Sequence, residues 1–84
     1  MITVRYFASI REAVGKELEY FNYGEEVQTI SAVLDFCRAQ SNQHAEALAI
    51  TKAVRAALNQ TLTSLEAQVA DGDEIAFFPP VTGG

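Results

Sequence analysis

A single cysteine, few basic residues and the want of any long apolar run set the first limits on this 84-residue chain. A lone Cys37 cannot close an internal disulfide, so nothing in the sequence points to an oxidising, secreted setting. Six Lys and Arg stand against eleven Asp and Glu, for a formal charge of −5. That balance excludes the clustered cations that neutralise phosphates and predicts no nucleic-acid binding. It suits instead a partner with a basic surface. No stretch approaches the roughly 20 apolar residues of a membrane span, and the N-terminus has no signal-peptide pattern. The expectation is a cytoplasmic protein with no membrane contact. There is no repeat, linker or low-complexity tract, and the length allows one modest core with little room for a large substrate cavity.

What is present is a strong alternation of hydrophobic pattern. Ile2, Val4 and Tyr6 share one face of an opening strand, while Thr3, Arg5 and Phe7 share the other. Ser9-Ile10-Arg11-Glu12 has the spacing of a capping box, and Gly15 reads as the stop of a helix about one turn long. Lys16 to Phe21 alternates again, with Leu18 and Tyr20 on one side, and predicts a strand paired with the first. Thr29 is a fitting N-cap for the main helix, whose apolar stripe is Ile30, Val33, Leu34 and Cys37. A further short helix follows Ser41-Asn42. Two strands then flank Asn59-Gln60, a two-residue turn in which Asn59 tolerates positive φ. Asp71-Gly72-Asp73 marks another turn before the last strand, Glu74 to Phe78. Hairpin, helix, then further strands is the order of an α+β roll, the ubiquitin-like β-grasp. In it a mixed sheet carries one main helix on one face, and the last strand lies parallel to the first.

The predicted division is a folded domain over residues 1–78 and an extended, flexible tail over residues 79–84. Pro79 and Pro80 each remove a backbone donor, so the sheet ladder stops there. They also bias their predecessors to extended geometry, so the six-residue tail reaches on the order of 20 Å at about 3.3 Å per residue. Gly83 and Gly84 have no Cβ and can thread a channel too narrow for side chains. A terminal Gly-Gly alone is weak evidence, because many chain ends are glycine-containing and frayed. Following a strand and Pro-Pro it gains a chemical reading. A free carboxylate is a poor acyl donor until it is joined to AMP. Sulfur installed on that activated acyl group gives a thiocarboxylate, which is ionised and nucleophilic at neutral pH.

Val4-Arg5-Tyr6-Phe7-Ala8, Arg11-Glu12, Asn59-Gln60-Thr61-Leu62 and the whole segment from Asp71 to Gly84 closely resemble the family of small, sulfur-carrying subunits of molybdopterin synthase. The resemblance spans essentially the full chain and is least diagnostic from about residue 22 to residue 52. It implies a β-grasp fold and a terminal glycine activated by an E1-like adenylyltransferase using ATP and Mg, with no cofactor held by this chain. A sulfur donor system then supplies the thiocarboxylate. It also implies a heterotetramer in which the tail, Pro80, Val81, Thr82 and Gly83, inserts into a large catalytic subunit. There Gly84 delivers sulfur to precursor Z to build the dithiolene of molybdopterin. The alternatives are a thiamine-type sulfur carrier, which is usually shorter and lacks Phe-Phe-Pro-Pro, and a ubiquitin-like modifier joined to lysines.

Phe7, Leu62 and Phe78 are the candidate partner-binding patch. A helix covers only one sheet face, so one member of each aromatic pair is expected to be poorly buried. Cys37 sits on the apolar stripe and reads as a core cysteine rather than a sulfur shuttle. His44 stands alone, with no second ligand at metal spacing, and is expected to face solvent. Glu25-Glu26 and Asp71, Asp73 and Glu74 read as solvated turns rather than a cation site, so no metal is assigned. Arg5, Arg11 and Arg55 serve docking or solubility equally well. No phosphate loop or nucleophile–base pairing is evident.

Overall fold

The computed structural model describes residues 1–49 and 53–80. Strand β1 (Ile2–Tyr6) buries Ile2, Val4 and Tyr6, as its alternation predicts. It leads into helix α1 (Ala8–Val14), which is two turns long rather than one and begins earlier than the Ser9 pattern suggests. Phe7 occupies the N-cap in extended geometry with no side-chain cap, so the Ser9–Glu12 capping box does not form. The reason is a long-range tie. The Phe7 N–H donates to the Phe77 carbonyl at 3.1 Å, and the Phe7 carbonyl then accepts from Ile10 and Arg11. The strand ladder thus fixes where the helix starts, with Ala8 bent to φ 52°. Gly15 ends the helix at φ 83°, its N–H bonded to the Arg11 carbonyl.

Strand β2 (Leu18–Phe21) runs antiparallel to β1. A short 3-10 turn (Glu25–Val27) precedes α2 (Ile30–Arg38), capped by the Thr29 hydroxyl accepting from Ala32 N–H at 3.1 Å. The predicted stripe of Ile30, Val33, Leu34 and Cys37 is fully buried. Helix α3 (Asn42–Ala47) is capped in the same way by Ser41. Strands β3 (Arg55–Leu58) and β4 (Thr61–Thr63) form a hairpin around Asn59 and Gln60, both at positive φ (49° and 70°). Strand β5 (Glu74–Phe78) completes a sheet of order β2-β1-β5-β3-β4, in which only β1 and β5 are parallel. This is the β-grasp arrangement.

One core lies between the sheet and the helices, with Tyr6, Ile75 and Phe77 meeting Ile30, Val33 and Leu48. Register then decides what the other face shows. Because Ile75 and Phe77 point inward, Glu74, Ala76 and Phe78 point outward.

Candidate functional site

Across the outer face one row of directly paired residues runs Leu18, Arg5, Ala76, Ala57 and Leu62, one from each strand. Two alanines at its centre leave a shallow floor. Phe7, Phe78 and Gln60 rise around that floor, and with Arg5 and Glu74 they bound a groove of about 660 Å³. Phe7 is 46% exposed and Leu62 63% exposed, whereas Phe78 is half-buried. Phe7 and Phe78 share the groove. Leu62 stands beside it, paired with the floor residue Ala57, and lines an adjoining hollow with Arg55 and Leu65. The sequence pattern picks out the aromatic walls but not the floor. Ala57 and Ala76 carry no chemical signal, and only the strand register brings them together.

The groove has one charged end. Arg5 Nε lies 3.0 Å from Glu74 Oε2, and that hydrogen bond and charge hold the Arg5 guanidinium above its usual value. Arg5 is therefore engaged within its own face. At the opposite margin β5 ends at Phe78, and Pro79 and Pro80 follow with no ladder assignment. Val81, Thr82, Gly83 and Gly84 lie outside the described residues.

On the covered side the structure reveals a polar cluster that the sequence does not announce. His44 is buried, contrary to the expectation that it faces solvent. Its Nε2 lies 2.6 Å from Glu19 Oε1, and its Nδ1 lies 2.7 Å from the Ser41 hydroxyl. Tyr6 donates its hydroxyl hydrogen to the same Glu19 oxygen at 2.8 Å, and Lys16 reaches the other oxygen at 3.3 Å. Burial alone would push the Glu19 carboxyl up. The hydrogen bonds from His44, Tyr6 and Lys16 outweigh it and hold the carboxyl below its usual value. A short-range signal for His44 did exist. In Ser41-x-x-His44 the cap hydroxyl accepts from the His44 N–H, which holds the ring next to Ser41. Although Ser41, His44 and Glu19 are linked in the order of a hydrolytic triad, the Ser41 oxygen is already the helix cap. The cluster is a structural tie between β1, β2 and α3.

Cys37 is buried, and that burial pushes its thiol up to about 12, which suits a core residue and not a sulfur-handling one. The acids of the last turn are each separately engaged. Asp73 accepts from Ala70 N–H and the Asn59 amide, Asp71 pairs with the N-terminal ammonium, and Glu74 pairs with Arg5. Among the described residues no group of three or more His, Cys, Asp or Glu could hold a metal ion. Nor is any described helix long and apolar enough to cross a membrane.

Residues 4–84 match the ThiS family. The chain belongs to that family. The molybdopterin synthase sulfur carrier subunit of Escherichia coli is 45% identical over 84 residues, covering all of both chains. Among solved structures, a protein–protein complex of subunits 1 and 2 of molybdopterin-converting factor from Helicobacter pylori contains a similar chain. It is 25% identical with TM-score 0.63, and the match covers 99% of this chain and 97% of that one. The small archaeal modifier protein 1 of H. volcanii is similar at 25% identity and TM-score 0.71, covering 95% and 97%. The ThiS-family fold thus agrees with the β-grasp read from the order of elements.

Proposed function

We propose that this ThiS-family chain is the sulfur carrier subunit of a molybdopterin synthase. The observation that carries the reading is its end-to-end identity of 45% with a subunit of that name, from the first strand through the Gly-Gly terminus. The geometry is consistent with it. A sheet face left uncovered by the described residues, with a shallow apolar groove, adjoins the strand from which residues 79–84 continue, so a partner could grip the face and receive the tail.

In this reading an E1-like adenylyltransferase, using ATP and Mg, joins the Gly84 carboxylate to AMP with loss of pyrophosphate. A sulfur nucleophile from a donor system then attacks the acyl carbon, AMP leaves, and a thiocarboxylate remains. The small residues Gly83 and Gly84 pass into the large subunit with Pro80, Val81 and Thr82 extended behind them. On this reading Phe7, Leu62 and Phe78 contact that partner; what supports a two-subunit assembly is the similar Helicobacter pylori chain found in a complex of subunits 1 and 2. The thiocarboxylate sulfur displaces an oxygen substituent from a carbon of precursor Z, the oxygen leaving as water. Hydrolysis of the resulting thioester returns the Gly84 carboxylate and leaves the sulfur on that carbon. Two carriers on a dimer of large subunits make a heterotetramer and supply the two dithiolene sulfurs. The domain spans residues 1–78 and the working tail residues 79–84. The chain itself holds no cofactor and works in the cytoplasm.

Reconstitution tests this. Carrier loaded by its activating enzyme, mixed with the large subunit and precursor Z, should yield molybdopterin. Carrier lacking Gly84 should yield none, and product formation without Gly84 would refute the proposal. The likeness to a small archaeal modifier protein favours one second reading, transfer of the activated terminus to lysines. Isopeptide-linked targets in a lysate, found together with failure of the reconstitution, would select that reading.

A further inference from the structure

Five large hydrophobic side chains are exposed among the described residues, and only Phe7 and Leu62 belong to the groove region already discussed. The other three, Met1, Tyr20 and Tyr23, line a separate groove of about 700 Å³ along β2 and the 3-10 turn after it. Phe36 from α2 lines it too and packs edge-on against Phe21, ring centres 5.0 Å apart. Glu25 and Glu26 complete the lining. Neither glutamate takes part in an ion pair among the described residues, and no lysine or arginine lines the groove. The N-terminal ammonium of Met1, which lines the groove, is paired with Asp71.

Aromatic faces beside unpaired carboxylates favour a cation that can stack and bond at once, and the planar guanidinium does both. Strand β2 is also the edge of the sheet, the place where an extended segment can lie alongside. A second copy of this chain is disfavoured, because an isologous contact would set Glu25 and Glu26 against their own equivalents in a chain of charge −5. We infer that the Tyr20–Tyr23–Glu25–Glu26 groove is a second docking surface, and that it takes an extended, arginine-bearing segment of a partner protein. The inference rests on this groove alone and stands whether or not the terminus carries sulfur.

The test is a titration of the full ¹⁵N-labelled chain with the peptide acetyl-Ser-Leu-Arg-Val-Arg-Ser-amide, and with the same peptide carrying citrulline for each arginine. Saturable shifts should centre on Tyr20, Tyr23, Glu25, Glu26 and Phe36, and leave Ala57 and Ala76 unmoved. Citrulline should weaken binding about fivefold, as should the exposed double change Glu25→Gln and Glu26→Gln. Any of three results would overturn the inference: no saturable shifts, shifts centred on the Phe7–Phe78 groove, or equal binding of the citrulline peptide. Groove shifts that grow with protein concentration before any peptide is added would overturn it too, in favour of self-association.

Discussion

Glu19 on edge strand β2 and His44 on helix α3, twenty-five positions apart, meet at 2.6 Å between Oε1 and Nε2. Together with the Tyr6 hydroxyl at 2.8 Å, this contact ties the end of β1, the sheet edge and the helical layer at one carboxylate.

The first prediction concerns acid stability. Hydrogen bonds from His44, Tyr6 and Lys16 prevail over burial and depress the Glu19 carboxyl in the folded chain. A depressed carboxylate adds stability that is complete above its unfolded value, about 4.3, and lost as pH falls toward the folded value. Glu19→Gln should therefore be less stable than wild type at pH 7, and the gap should narrow below about pH 4.3. Urea midpoints from pH 7 to pH 3 measure it, and a gap that widens on acidification contradicts the assignment. His44→Ala takes one of its partners from the partly buried Glu19 carboxylate and should cost about 1–3 kcal/mol at pH 7.

Cys37 should be inert in the native protein. Its thiol is buried and pushed up to about 12, so thiolate is scarce and shielded at neutral pH. An alkylating reagent should modify it only after unfolding, as followed by mass. Cys37→Ala should keep full sulfur loading at Gly84 while losing some stability.

The β3–β4 turn carries a correctable strain. Asn59 and Gln60 both have positive φ, the geometry of a type I′ turn whose preferred second residue is glycine. The Asn59 amide is well used, bonding Asp73 and the Glu74 N–H, but Gln60 gains no such bond among the described residues. Gln60→Gly should raise stability by about 0.5–1 kcal/mol, read as a higher denaturation midpoint at unchanged m-value. Asn59→Ala should lower it by a similar or larger amount.

These cases show what could be read from the sequence and what could not. Alternation placed Ile2, Val4 and Tyr6 inward, and helical spacing placed Ile30, Val33, Leu34 and Cys37 on one stripe. Both are local periodicities, and burial follows them. Asn59-Gln60 and Thr29 were legible for the same reason, since turn and cap chemistry act over a few residues. The start of α1 was not legible, because the backbone bond between Phe7 and Phe77 overrode the capping pattern at Ser9. The solvent-facing expectation for His44 fails because its partner, Glu19, lies in another element. The Ala57–Ala76 floor leaves no local signal because it exists only once the strands are in register. The terminal motif stands on the sequence alone, since Val81 to Gly84 lie outside the described residues.

The outer face should matter for partnership rather than for folding. Phe7 and Leu62 are exposed, so Phe7→Ala and Leu62→Glu should leave the denaturation midpoint nearly unchanged. Each should weaken binding to the large synthase subunit by about 1–3 kcal/mol, measured by calorimetry. Phe77→Ala, in the fully buried core, should do the reverse and cost about 3–5 kcal/mol of stability.

The most direct test of the sulfur-carrier account is the intact mass of the chain after incubation with its activating enzyme, ATP, Mg and a sulfur donor. Exchange of one terminal oxygen for sulfur predicts a gain of about 16 Da, localised to Gly84 by fragmentation and absent when Gly84 is removed. An unchanged mass, or the same gain in a chain without Gly84, would contradict the account.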